Sequence, residues 1–299
     1  MRFGKGNDSA IAGHMRFAII VIAIALTTTV AMAQLNLPSA SSDAEFKQQV
    51  GFTDVEVKYS RPNARGRVVM GQLVPFGELW RTGAHDATTI SFSDAVTLNG
   101  NNVPAGTYTL FTIPTASEWT IVINKATEMH GTSDYKQEED LVRFAVPSEK
   151  AARYYETFTI EINDFGKDEA MLMLAWENTL VKVRVKTNAD EKVMAEINER
   201  INVKKEDRPG LFYQSAMYYF NNNKDIKQAY VWSQIASSKS QDATYLQLQA
   251  KIEASMGNYS TALKTLKSST DLATAKKLDQ VVSANEKLRT EWSLKSEKK

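Results

Sequence analysis

The residues with the clearest chemical potential lie in one irregular stretch, from Arg61 to Thr88. It contains four arginines and one of the three histidines of the chain. A guanidinium group presents a planar fork of donors that matches a carboxylate or a phosphate, so arginines gathered in one loop can form an anion site. Loops on a rigid scaffold often carry function. This stretch is therefore the first place to look for a site.

Three of the arginines and one tryptophan are candidates for ligand contact. These residues are Arg61, Arg67, Trp80 and Arg81. The guanidinium groups could hold a sugar acid, a phosphate or a peptide carboxylate, and the indole could stack on a sugar ring. The alternative is structural, with the arginines paired to carboxylates such as Glu78, Asp86 or Asp94 and fixing the loop against a sheet.

Acid–base chemistry is a second possibility for the same stretch. His85 stands beside Asp86, and Glu78 precedes them, so an imidazole and a carboxylate could act as general base and acid in a hydrolase-like enzyme. Neighbours on an extended chain point to opposite sides, which weakens the pair. His130 adds an imidazole in another loop, but no H-x-H or H-E-x-x-H spacing is present, and we expect neither a metal nor a cofactor. The sequence also lacks G-x-S-x-G and phosphate-binding glycine motifs.

Composition narrows the classes of partner. The 299 residues include 36 basic and 35 acidic side chains, a formal charge of +1, which gives no electrostatic footprint for nucleic acid. The chain has no cysteine, so it has neither disulfides nor thiolate ligands, and an N-terminal lipid anchor on cysteine is excluded.

The N-terminus has the pattern of a secretory signal peptide. Arg16 precedes the apolar run FAIIVIAIAL, and Ala31-Met32-Ala33 places small residues before a cleavage point at Gln34. The run is shorter than the roughly 20 residues of a spanning helix, so we expect no membrane span after cleavage. Residues 1–33 are thus the predicted signal peptide, with Met15 as a possible true start. A cysteine-free exported chain fits the periplasm of a Gram-negative bacterium, and residues 34–49 are predicted to be a flexible lead-in.

From residue 50 to residue 188 the apolar residues recur at every second position. Val55, Val57 and Tyr59 alternate with polar neighbours, and the pattern recurs in later segments such as Trp119 to Ile123. This period is typical of half-buried strands. Asn99-Gly100 is a hairpin signal between two such segments. Several short strands at close spacing predict an antiparallel β-sandwich or jelly-roll-like domain.

From residue 189 to residue 299 the spacing becomes helical. Asp225-Ile226-x-x-Ala229 is echoed 33 residues later by Asn258-Tyr259-x-x-Ala262. This spacing is similar to the tetratricopeptide repeat, in which small residues let two helices cross closely. The sequence therefore predicts an α+β multidomain protein whose second domain is α-helical and tetratricopeptide-like, and which could dock a protein partner.

Several motifs of the β domain occur in a distinctive order: YSRP at 59–62, GR at 66–67, LVPFGELWRTGA at 73–84, PAGTY at 104–108, FTIP at 111–114, EW at 118–119 and NK at 124–125. In these blocks the chain resembles the bacterial domain-of-unknown-function family 2911, over roughly half its length. The resemblance implies an exported, β-rich domain, followed in some members by tetratricopeptide-like helices, and it implies no known activity. The chain departs from the family at His130, where an aromatic residue, usually tryptophan, is expected before the glycine.

Taken together, these patterns favour a non-catalytic periplasmic binding module with an anionic or glycan-like ligand at the arginine-rich loop. Two alternatives stay open. One is a cell-envelope enzyme that uses His85 with Asp86 or Glu78, and the other is a structural domain whose arginines are all paired internally.

Overall fold

The computed structural model describes Met1 and residues 37–296. The predicted signal peptide and its cleavage site lie outside the described residues. The described part contains a β domain followed by a helical domain, and the change from strands to helices falls between Thr187 and Ala189. The predicted α+β organisation, with a sheet first and helices second, is confirmed.

Nine strands make up the sheet of the described β domain. They are β1 (Ser42–Val50), β2 (Thr53–Arg61), β3 (Ala84–Phe92), β4 (Val96–Leu98), β5 (Asn101–Val103), β6 (Gly106–Pro114), β7 (Glu118–Asn124), β8 (Asp140–Asn163) and β9 (Glu169–Thr187). Every pairing between neighbouring strands is antiparallel, in the order β1-β2-β3-β6-β7-β8-β9-β4-β5. The Asn99-Gly100 turn joins β4 to the short strand β5, and both turn residues have positive φ.

The first strand corrects one expectation from the sequence. Residues 34–49 were predicted to be a flexible lead-in, but Ser42–Val50 pairs with β2 along its whole length. The two strands form a hairpin whose Gly51 has φ of 58°, the conformation that a two-residue turn requires. The polar composition of β1 hid this strand, because most of its side chains are exposed.

One strand, β8, is long enough to belong to both halves of the sheet, β1-β2-β3-β6-β7 on one side and β9-β4-β5 on the other. The first part of β8 pairs with β7 through Pro147, and the rest pairs with β9 from Ser148 onward, with irregular register between Lys150 and Thr159. The inward side chains of both halves meet in a single core, which includes Trp119 from β7, Phe158 from β8 and Trp176 from β9.

A tyrosine links β2 to β8, two strands that are not neighbours in the sheet order. The Tyr59 hydroxyl on β2 donates to the Ile160 carbonyl at 3.2 Å, and it accepts from the Ile160 N–H at 2.9 Å. Immediately after β2, Asn63 forms an antiparallel bridge with Thr157 of β8. Strands β2 and β8 are therefore tied across the core even though they are not neighbours in the sheet order.

Six helices follow in the described part. They are α1 (Ala189–Ile197), which continues into a π-helical turn (Asn198–Val203), α2 (Pro209–Asn221), α3 (Ile226–Lys239), α4 (Ala243–Ser255), α5 (Tyr259–Ala275) and α6 (Asp279–Ser296). Each helix from α2 onward packs on the next, and α2 also contacts α4 while α4 contacts α6. Ala229, Ala236 and Ala262 are fully buried, so small residues lie where the helices approach most closely.

Polar contacts hold the two domains together. Lys192 on α1 contacts Asp94 beside β4 at 2.6 Å, and Lys167 Nζ donates to the Asn221 carbonyl at the end of α2. Gly51 lies so close to the junction that a Cβ there would lie 2.7 Å from Thr187 Oγ1.

We predict that Tyr59→Phe lowers the unfolding free energy by about 2 kcal/mol, because it leaves a buried N–H and a buried carbonyl of Ile160 without their partner. Tyr108→Phe is the matched control, since the Tyr108 hydroxyl makes one hydrogen bond among the described residues, to the Pro104 carbonyl, and we expect a loss of about 1 kcal/mol or less. Urea unfolding monitored by tryptophan fluorescence measures both. Equal effects of the two substitutions would show that Tyr59 does not clamp the sheet.

We further predict that acid weakens the contact between the domains. The hydrogen bond from Lys192 lowers the pKa of Asp94 in the folded protein. The ionised Asp94 carboxylate therefore stabilises the folded state at pH values above the unfolded pKa of Asp, and this stabilisation is lost as the pH falls through the lowered pKa. Asp94→Asn removes this contribution, so the variant loses less stability than the wild type between neutral and strongly acidic pH. The unfolding free energy of the wild type and of Asp94→Asn is measured across this pH range. A constant difference between the two proteins at every pH would refute the prediction.

Candidate functional site

The predicted anion-binding arginines are used to satisfy the backbone. Arg61 Nε donates to the Phe158 carbonyl at 3.2 Å, and its Nη2 donates to Thr159 Oγ1 at 2.9 Å. Arg67 donates to the Ala64 and Asn63 carbonyls of its own loop, at 2.9 and 2.7 Å. Each guanidinium group thus has its own acceptors in the β domain, and the two groups share no acceptor.

Arg81 lies beside the two histidines of the β domain. Its Nη1 donates to the His85 carbonyl at 3.2 Å, and a Cβ on Gly131 would lie 3.0 Å from that same nitrogen. Arg81 therefore lies against the loop that carries His130, and it holds the start of β3 in place.

Trp80 packs as part of the core. Its ring stacks on Trp176, with 5.6 Å between centroids and 21° between planes, and meets Trp119 and Phe158 edge to face. Its Nε1 donates to the Gly83 carbonyl at 3.0 Å, and its backbone bridges to Thr112 of β6. With one face of the ring covered by Trp176, the indole is a structural anchor for the loop.

The acid–base candidates do not pair with their neighbours in the sequence. Asp86 Oδ1 lies 2.6 Å from His130 Nδ1, and the side chains of both residues are exposed. His85 is exposed with φ of 54°, and its carbonyl is held by Arg81. Within residues 37–296 the side chains of His85 and Glu78 make no hydrogen bond or ion pair. The structure thus joins Asp86 to His130 and leaves His85 beside them.

These residues border an open cleft of about 710 Å³, here called the His130 cleft. Its floor is the outer face of β1, β2 and β3. Asp43 is opposite Ser60 in the β1–β2 pairing and accepts a hydrogen bond of 2.6 Å from its hydroxyl. Glu45 is opposite Lys58, which in turn is opposite Thr89 of β3. Hydrogen bonds to Glu56 and Glu45 raise the pKa of Lys58, which stabilises its charged form.

The wall of the cleft is the segment 127–130. Met129 is buried in a small apolar cluster with Ala87, Phe111 and Val122, on the side of the sheet opposite the main core. The Met129 carbonyl accepts from the Ala87 N–H at 3.0 Å, one residue away from the Asp86–His130 contact. The wall is thereby fixed to β3, and the imidazole is held at the rim.

The lining of the cleft includes four carboxylates, one lysine and two histidines. The carboxylates belong to Asp43, Glu45, Asp86 and Glu128. Because acceptors outnumber cations, the cleft favours ligands that donate hydrogen bonds or carry positive charge, and it disfavours anions.

The sequence pointed to only part of this site. His85, Asp86 and His130 were singled out, but Asp43, Glu45 and Glu128 were missed. The alternation of polar residues along β1 was the available signal. Which side chains of β1 lie beside those of β2 and β3 depends on the register of strand pairing, and the sequence alone does not give that register.

The described residues contain no group of three His, Asp or Glu side chains that converges as a metal site would. None of the helices within residues 37–296 combines the length and apolar character needed to cross a membrane.

One comparison with known proteins identifies a relationship. The model of a family described as "Protein of unknown function (DUF2911)" matches residues 41–185, which correspond closely to the β domain. No curated protein and no solved structure matches the chain.

The contacts of the arginines predict how their removal acts. Arg61→Leu leaves the Phe158 carbonyl and the Thr159 hydroxyl without this donor, and we expect the unfolding free energy to fall by about 1 to 3 kcal/mol. Arg67→Leu, on an exposed loop, is expected to cost less than about 1 kcal/mol. Chemical denaturation of both variants checks the order, and a larger loss for Arg67→Leu would contradict the assignment.

Proposed function

We propose that this chain, whose β domain belongs to the DUF2911 family, is an exported, non-catalytic binding module that holds a polar, glycan-like ligand in the His130 cleft. The observation that carries the proposal is the lining of the cleft, where carboxylates, hydroxyls and imidazoles from the sheet face and from the segment 127–130 surround one open space. Export rests on the signal-like N-terminus.

The chemistry of the lining favours a hydroxyl-rich or amine-bearing ligand. Sugar hydroxyls donate to carboxylates such as Asp43 and Glu128, and charge-assisted hydrogen bonds are stronger than neutral ones. Lys58 and the free imidazole of His85 supply donors for ring and hydroxyl oxygens. An anionic ligand would meet four carboxylates in the same space. We therefore move the site from the arginine-rich loop to the cleft beside it, and we prefer the glycan-like ligand to the anionic one.

The helical domain would serve as the second contact surface. We assign it to a tetratricopeptide-like array, because the motif that recurs after 33 residues places Ala229 and Ala262 at equivalent, fully buried positions. The contacts of α2 with α4 and of α4 with α6 are those expected when helical hairpins stack in one direction. Such arrays bind protein partners along their helices, so the chain would present a ligand and a partner surface together.

A hydrolase at the same cleft is the second candidate. It is favoured by the contact of 2.6 Å between Asp86 and His130, since a carboxylate that orients an imidazole is a common arrangement for a general base. The exposure of both side chains argues against it, because a solvated pair lacks the water exclusion that strengthens catalytic electrostatics.

Calorimetric titration of the mature chain tests the proposal with three probes: a neutral glucose oligomer, a glucosamine oligomer and a glucuronic acid oligomer. We expect binding in the order amino sugar, neutral sugar, sugar acid. Asp86→Asn and Glu128→Gln should each weaken the binding about tenfold, equivalent to about 1.4 kcal/mol.

The matched control is Glu149→Gln, which removes a carboxylate on β8 that pairs with Lys182 and should leave affinity unchanged. Tightest binding of the sugar acid, reduced by Arg81→Leu but not by Glu128→Gln, would return the site to the arginine loop. Turnover of a probe that disappears in His130→Ala would favour the enzyme instead.

A further inference from the structure

The outer edge of β1 is an unpaired sheet edge of unusual length. The nine residues of β1 pair with β2 on one side, and among the described residues no strand pairs with the other side. Edge strands of this length invite pairing with another chain, and proteins usually shorten, bend or cover them. No register shift interrupts the β1–β2 pairing, so β1 has no bulge that would twist the edge away.

The hairpin fixes which backbone groups point outward. Val50 and Thr53 close a two-residue turn, and in such hairpins the closing pair is hydrogen-bonded. Hydrogen-bonded positions alternate along the strand, so Val50, Gln48, Phe46 and Ala44 face β2. The N–H and C=O groups of Asp43, Glu45, Lys47 and Gln49 therefore point away from the sheet.

The side chains of this edge are complementary to themselves. In an antiparallel pairing of two copies centred on Phe46, each Glu45 lies opposite a Lys47, and each Asp43 lies opposite a Gln49. All of these positions have outward backbone groups, so the ladder gains roughly eight inter-strand hydrogen bonds. Two-fold symmetry also places one half-buried Phe46 beside the other at a non-hydrogen-bonded position, where side chains approach most closely.

Neighbouring registers are less favourable. The backbone directions require a slip of two residues. A centre on Glu45 places each Asp43 opposite a Lys47 but brings two Glu45 carboxylates together, and a centre on Lys47 brings two ammonium groups together. Directly opposed like charges destabilise a strand pair. Of these three registers, only the one centred on Phe46 combines pairs of opposite charge with no pair of like charge.

From this complementarity we infer that the chain forms a homodimer through β1, in which the two sheets become continuous across a two-fold axis. This dimer does not depend on the ligand proposed above. It has a consequence for the His130 cleft, because Glu45 and Asp43 line its floor. In the dimer the partner's Lys47 and Gln49 lie beside these carboxylates and extend the floor.

Charge exchange provides a direct test with the full mature chain. Wild type should be dimeric by sedimentation or light scattering, whereas Lys47→Glu alone and Glu45→Lys alone should each be monomeric because like charges then meet. An equimolar mixture of these two variants should form a heterodimer, since opposite charges are restored across the interface. Lys182→Glu on β9 is the matched control and should remain dimeric, and circular dichroism checks that every variant is folded.

The absence of native cysteine permits a second test. A disulfide requires Cα atoms about 4.4 to 6.8 Å apart, and two-fold-related residues at a non-hydrogen-bonded pair are about 4.5 Å apart. Phe46→Cys should therefore cross-link two copies under mild oxidation, whereas Gln48→Cys, which faces Ala44, should not. A monomeric wild type, a dimer that survives Lys47→Glu, or equal cross-linking of both cysteine variants would each overturn the inference.

Discussion

The rest of the β domain depends on one requirement, that the buried backbone N–H and carbonyl groups between β2 and β3 find hydrogen-bond partners. This connection has few ladder partners, yet parts of it are buried, and buried carbonyl and N–H groups need hydrogen bonds. Side chains supply them. Arg67 binds the Ala64 carbonyl, the Trp80 indole binds the Gly83 carbonyl, and Met70 N–H donates to Glu177. Arg61, at the end of β2, instead donates to the Phe158 carbonyl and so ties the start of the segment to β8.

The same constraint shapes the cleft. Thr82 is buried with φ of 57°, a conformation that β-branched residues rarely adopt, and its carbonyl accepts from the Thr88 hydroxyl. The turn it makes carries the chain from Trp80, fixed in the core, to His85 and Asp86 at the surface. Strain of this kind persists only where the surroundings determine it strongly. The position of Asp86 relative to His130 therefore depends on the aromatic packing beneath Trp80.

Local periodicity was enough to predict most of the strands and the change to helices, while the site required long-range information. Val55, Val57 and Tyr59 identified β2, and the change of period near residue 190 identified the helices. The role of Trp80 could not be predicted, because its partners Trp119 and Trp176 are distant in sequence. The contact of Asp86 with His130 spans 44 residues, and adjacency favoured His85 instead. Strand β1 was missed because a polar edge strand has weak apolar alternation.

The length of β8 has a consequence for how the domain responds to stress. This single strand pairs with β7 in its first part and with β9 in the rest, and the inward side chains of both halves share one core. Opening either half therefore exposes apolar surface against which the other half packs. Local unfolding is usually divided among separate cooperative units. Here the two halves share one unit, so amide protons on β7 and on β9 should exchange with solvent through the same rare opening event.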